Sequence, residues 1–311
     1  MRPAVFLALH GLVLLGGCSS LLGIENPRAR DDAGTDDAAV DAAVDAAVDA
    51  PDDVGPPQDH LAFSVPNLRI ARDQIAHLHV QFIHADSTTE DVTAAASYST
   101  DQPGIATADA GRILAGNQAG AAAITASMGS VAPARLAVTV TPEVCHPVIN
   151  ELQTASAASA DDEWVEIYNP CSGAIDVSGW TLNYRSATNT GATDNVLLAT
   201  LAGQLAPGEL RLFGGPAYGG TRDGGWTGGT LGAANGAVGL RAGAINAGPV
   251  VDAIAYGNVS AGHPFLEGSA APAMVVGKSG ARLPFDGKDD GDGATDFTVI
   301  MTPTPRALNA P

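Results

Sequence analysis

The chain's 7 histidines, 34 acidic residues and 3 cysteines are the side chains able to hold a metal, move a proton or form a covalent link. His77, His79 and His84 stand close together, and residues two apart on a strand project from one face, as metal ligands must. His84 has the opposite parity and no cysteine is near, so the expectation is exposed strand histidines and no metal centre. Glu151, Glu163 and Glu166 are spaced so that a pair could act as general acid and base. Nothing in the sequence encloses them, so they read as exposed strand charges and no catalytic residue is assigned. Asp286, Asp289, Asp290, Asp292 and Asp296 crowd one loop and offer the hard oxygen donors that calcium prefers. The loop fails the EF-hand pattern in either frame, because Lys288 or Ala294 occupies a ligand position. It is expected to be a solvated acidic loop, with a structural calcium ion as the alternative and no other cofactor implied. Gly277-Lys278-Ser279 lacks the upstream glycine of a phosphate loop, Pro272 standing there instead, and no nucleophile elbow, zinc-protease helix or dinucleotide fingerprint occurs.

The elements that must carry these groups are legible in composition. With 37 glycines, 20 prolines and 5% aromatic residues in 311, the chain favours turn-rich β structure over helical bundles. The 34 acidic against 15 basic residues give a formal charge of −19, which makes a nucleic-acid partner unlikely on chemical grounds, since phosphate recognition needs Lys and Arg. The charge is uneven: residues 25–59 carry 11 acids and 2 bases, residues 60–142 carry 6 and 4, and residues 143–311 carry 17 and 8. Much of the acidity therefore lies outside the regions expected to fold. Trp164 and Trp180 are expected to anchor a core.

Met1-Arg2 followed by the apolar run Ala4 to Leu15 has the basic start and short hydrophobic centre of an export signal over residues 1–17. Leu15-Gly16-Gly17-Cys18 resembles the lipobox of bacterial lipoproteins. The resemblance implies cleavage before Cys18, a diacylglyceryl group on its thiol and acylation of the new amino group, enough to hold the protein on a membrane. Ser19, where an Asp would suggest retention at the inner membrane, leans towards the outer membrane or cell surface. Residues 18–59 continue as a tether whose Ala-Ala-Val-Asp repeat stacks Asp41, Asp45 and Asp49 at helical spacing. Like charges repel there, so the segment is expected to be disordered.

Over residues 60–142, short alternating segments recur, among them Leu61 to Val65, His77 to Ile83, Ala121 to Ala126 and Leu136 to Val140. Asp91-Val92-Thr93, the stretch Tyr98 to Thr107, Gly111 to Ala115 and Gly120 to Thr125 resemble the bacterial immunoglobulin-like group 2 domain. The match departs at Gln102, inserted between Asp101 and Pro103, and at Gly104-Ile105. The resemblance implies a spacer or adhesin-type module without catalytic residues.

Over residues 143–311, Val148-Ile-Asn-Glu-Leu152, Glu163-Trp-Val-Glu-Ile-Tyr-Asn-Pro170, Ile175-Asp-Val-Ser-Gly-Trp-Thr-Leu182 and Leu205 to Phe213 are followed by Ser279 to Arg282, Asp296-Phe297, Pro303-Thr-Pro305 and Asn309. Together they resemble a lamin tail domain, which implies an immunoglobulin-like sandwich serving interaction or tethering. The Gly-rich stretch 214–236 is expected to be a surface excursion.

With Cys18 carrying lipid, Cys145 and Cys171 remain as a pair. If strands 148–152 and 164–168 run antiparallel with Val148 facing Tyr168, Asn150 facing Glu166 and Leu152 facing Trp164, the same register sets Cys145 opposite Cys171. An exported location supplies the oxidising compartment that a disulfide needs. The sequence thus reads as an all-β protein: two immunoglobulin-like β-sandwich domains after a signal peptide and an acidic linker. The function expected is non-enzymatic, with the membrane as one partner through the lipid and an unknown protein or glycan as another. The alternative is a glycan-binding or accessory component of an extracellular hydrolytic system.

Overall fold

Strand Ala134–Val144 shows why the chain before it folds as sheet: Ala134, Leu136, Val138 and Val140 are buried while Arg135, Ala137 and Thr139 face out, a period of two that ends at Thr141, itself buried. The computed structural model describes residues 58–309. Within them the protein is all-β, with one short helix, Gly293–Asp296, and these residues lie in one compact unit. Ala134–Val144 pairs antiparallel with Gly120–Ser127 and parallel with Asn67–Arg72, and Ser97–Thr100 completes that four-stranded sheet. Two three-stranded sheets lie beside it. The run His77 to Ile83, expected as one strand, is divided: Ile75–His77 joins Arg112–Ala115, whereas Val80–Ile83 joins His60–Phe63. The break at Leu78 and His79 lets both apolar segments bury in different sheets, with Ala76, Leu78, Val80 and Phe82 all inward.

Beyond residue 143 a six-stranded sheet and a four-stranded sheet share one core. Ile149, Leu152, Val165, Ile167 and Phe213 come from the first sheet, and Leu182, Tyr184, Leu198, Val238, Leu240 and Ile254 from the second. Here alternation fails. Val148–Gln153, Trp164–Tyr168 and Gly236–Arg241 are buried at every position. At Val148–Gln153 and Trp164–Tyr168 both faces are covered, one by the core and the other in part by Asp286, Gly287 and residues 304–309, which is why Asn150, Glu151 and Glu166 are also buried.

The expected register holds at Val148 opposite Tyr168 and Ile149 opposite Ile167, then shifts by one, so that Glu151 faces Glu166, Leu152 faces Val165 and Gln153 faces Trp164. Asn150 is the extra residue of a bulge. Its side chain donates to Asp286 Oδ1 at 2.6 Å and accepts from Gly287 N at 3.1 Å. Loop chemistry far along the chain thus meets the bulge, and the extra residue turns Leu152 to the core beside Val165 and Glu151 to the opposite face beside Glu166.

Candidate functional site

Three polar constellations emerge, and the first is the junction between the two β regions. Cys145 and Cys171 are disulfide-bonded with Cα atoms 5.6 Å apart. Around the bond, Ile75 N donates to Pro170 O at 2.7 Å, Ser172 N to Asp73 O at 2.7 Å and Cys145 N to Arg72 O at 3.3 Å. Gln74, 5% exposed, donates from Nε2 to Gly287 O at 2.7 Å. Gly287 has φ +75°, and a Cβ there would approach Pro170 Cβ to 2.5 Å, so this close contact requires glycine. Phe285 packs into the core of the region before residue 143. A cleft of about 200 Å³ opens beside the junction, lined by Arg69, Gln74, Thr141, Glu143, His146 and Asp289 among others.

The second constellation is a floor of three buried carboxyls, Glu151 and Glu166 at 0% and Asp286 at 4% exposure. The expectation of exposed strand charges is therefore wrong for both glutamates. Donors come from residues near the C-terminus. Thr304 N reaches Glu151 Oε1 at 3.0 Å and Thr304 Oγ1 reaches Glu151 Oε2 at 2.9 Å. Arg306 N reaches Glu166 Oε2 at 2.6 Å, and Asn309 N reaches both oxygens of Asp286 at 3.1 and 3.2 Å. Ser279 Oγ donates to Glu151 as well. Among the described residues none of the three carboxyls is ion-paired, since the ion pairs formed involve other acids. Burial pushes Glu166 up to about 8, with Glu151 and Asp286 adding to the effect, and burial raises Glu151 and Asp286 too.

Glu163 is also buried, at 1% exposure, and burial raises its carboxyl. It accepts from Leu231 N at 2.7 Å, Thr230 N at 3.0 Å and Trp226 Nε1 at 3.2 Å. The Gly-rich stretch that supplies these donors is more than a surface excursion: it buries Trp226 and Leu231 and adds the two-residue strand Gly224–Gly225 parallel to Leu210–Gly214. A buried carboxyl needs donors, and glycine-rich backbone can approach closely enough to provide them.

The acidic loop forms the third constellation, and it is not the solvated loop expected. Asp286 belongs to the floor. Asp296, 1% exposed, accepts from Asp290 N and Asp292 N and pairs with Lys288 Nζ at 2.6 Å. Asp292 caps the short helix through Ala294 N, and Asp290 pairs with Lys288 at 2.9 Å. Only Asp289 joins a group with metal-binding geometry, its oxygen lying within 4.8 Å of ligand atoms of Asp252 and Glu267. Neither partner was among the candidates read from the sequence. Burial, then neighbouring carboxylates, raise Glu267; burial raises Asp252 despite Arg282 Nη2 at 2.7 Å from its Oδ1. Ile149 N donates to the other Asp252 oxygen at 2.6 Å, so each oxygen of Asp252 already accepts one hydrogen bond.

The histidines do not converge. His77 ends one strand, His79 pairs with Asp91 at 2.7 Å, and the His84 ring lies 4.4 Å from that of Phe82. Trp164 is buried at 1% exposure on the sheet face away from the main core, near Tyr218, while Trp180 is half-buried and packs against that core. Cys18, the signal peptide and most of the linker lie outside the described residues. Among the described residues no helix is long and apolar enough to cross a membrane.

Comparison with known protein families finds no match, and no curated protein matches the chain. Among solved structures, the chain is similar to a DUF4876 family protein from Bacteroides thetaiotaomicron VPI-5482, at 11% identity and a TM-score of 0.38, the match covering 79% of this chain and 96% of that one.

Proposed function

We propose that this protein is a non-enzymatic surface lipoprotein: an export signal, a lipid on Cys18 and an acidic tether that present an immunoglobulin-like and a lamin-tail-like module to an envelope or extracellular partner. The observation that supports it most is the junction. The Cys145–Cys171 bond, the buried Gln74–Gly287 contact and the insertion of Phe285 make the two β regions one body. A single compact body carried on an acidic tether suits display of a surface at a distance from a membrane. Its carboxyls near one another are engaged by backbone and side-chain donors, as parts of a scaffold are.

Metabolic labelling with a fatty acid tests the reading. Wild-type protein is expected to take up label and fractionate with membranes, and Cys18→Ser is expected to lose both properties. Unlabelled wild-type protein in the aqueous fraction contradicts the proposal. The alternative reading, a glycan-binding or accessory component of an extracellular hydrolytic system, has its support in the polar cleft beside the junction, whose Arg, Gln, Thr, Glu and Asp side chains match sugar hydroxyls.

A further inference from the structure

The segment from Met301 to Asn309 crosses the carboxyl floor without burying a side chain of its own: Met301 is 72% and Leu308 45% exposed, and no position in the segment is buried. Its hold on the sheet is polar, made by three backbone N–H groups, the Thr304 hydroxyl and the Asn309 amide. Two features mark it as a poor fit to what it covers. Glu166 Oε1, on a side chain that is 0% exposed, has no hydrogen-bond partner. Arg306, whose N–H serves the other Glu166 oxygen, is held at φ +64°, a conformation costly for a residue with a side chain. The positive charge of Arg306 does not fill the gap, because its guanidinium turns outward to Asp223 at 2.6 Å.

We infer that residues 301–309 are a displaceable internal ligand, and that the floor of Glu151, Glu166 and Asp286 accepts in their place an extended, lysine- or arginine-bearing segment of a partner protein. Charge complementarity selects this occupant. Burial favours the protonated form of Glu166, and a cation set beside it favours the ionised form, so an extended basic peptide supplies N–H donors together with a positive charge that takes the place of the proton, which leaves to solvent. A metal ion fits less well, because among the described residues only Asp252, Glu267 and Asp289 bring three such ligand atoms within 4.8 Å of one another. Main-chain N–H donors already serve Glu151, Glu166 Oε2 and Asp286, so the exchange replaces one backbone by another and brings a cation to the unpartnered Glu166 Oε1. The inference deepens the interaction reading and rests on it, naming the chemistry of the partner.

Hydrogen exchange on the folded chain tests it, with an acetylated, amidated Lys-Ala-Lys-Ala-Lys-Ala peptide as the probe at physiological salt. Saturating peptide is expected to speed exchange at the amides of Thr304, Arg306 and Asn309 by at least ~10-fold, as the segment is displaced. The combined variant Glu151→Gln, Glu166→Gln, Asp286→Asn is expected to bind the peptide at least ~10-fold more weakly. Should that variant fail to fold, Thr304→Ala carries the test: it removes the hydroxyl that ties the segment to Glu151 and leaves every floor residue in place, and peptide affinity must rise. Unchanged exchange at the three amides under saturating peptide overturns the inference, as does equal affinity for wild type and the neutral floor, or affinity that does not rise in Thr304→Ala. Each of these would mean general attraction to an acidic surface. Lipid labelling of Cys18 is independent of all of them, so failure here and failure of the display reading are distinguishable.

Discussion

Glu166 is a carboxyl that folding places where holding a proton costs less than holding a charge. Its ordinary value is 4.5 and burial pushes it to about 8. Below pH 4.5 both folded and unfolded chains keep the proton. Between the two values the unfolded chain releases it and the folded chain does not, so stability falls as pH rises and levels off above about 8. Glu151, Glu163 and Asp286 are raised as well and act in the same direction. Urea denaturation is therefore expected to show a higher midpoint at about pH 5 than at about pH 8, opposite to a protein whose carboxylates are salt-bridged. Glu166→Gln supplies a neutral group of the same shape and is expected to raise the midpoint at the higher pH while flattening the slope. A variant less stable than wild type at both values would show that Glu166 is held as an anion. None of this could be read from residues 148–168, because what covers Glu151 and Glu166 arrives from Thr304 and Arg306, over a hundred residues later.

At the scale of elements, the strands and their local pairing were legible and their long-range covers were not. Alternation marks Ala134–Val144 because only one of its faces is buried. The pairing of Cys145 with Cys171 followed from a register that holds for its first residues, next to the cysteines. The bulge at Asn150 answers to Asp286 and Gly287, which no local pattern announces. The loop from Phe285 to Asp296 reads as solvated from its charge count. The structure instead spends its residues on the junction, the floor and the partners of Arg282 and Lys288. Phe285 is the element-scale test. It is 5% exposed in a core otherwise built from residues before 143, so Phe285→Ala is expected to cost about 3–5 kcal/mol by calorimetry or denaturant titration. It should also expose Gln74 and the strand Ile75–His77 to hydrogen exchange. A loss below about 1 kcal/mol would mean the phenylalanine is not part of that core.

For the whole molecule, the decisive feature is that two β regions with largely separate cores lie in one compact unit. The disulfide joins residues 26 apart, and the chain-entropy relation gives about 3–4 kcal/mol for a loop of that length. Mild reduction is accordingly expected to lower the unfolding midpoint without changing the far-ultraviolet spectrum at room temperature, and an unchanged midpoint would mean the bond is not formed in the mature protein. Export and the lipid anchor are expectations carried by the N-terminal sequence, which lies outside the described residues. The display reading depends most on the rigidity of the junction, and nitrogen-15 relaxation of the oxidised protein measures that directly. One overall correlation time is predicted for amides in the strands before Cys145 and in those after Cys171. Two distinct correlation times, one for each region, would show modules tumbling on a flexible joint and would contradict the account.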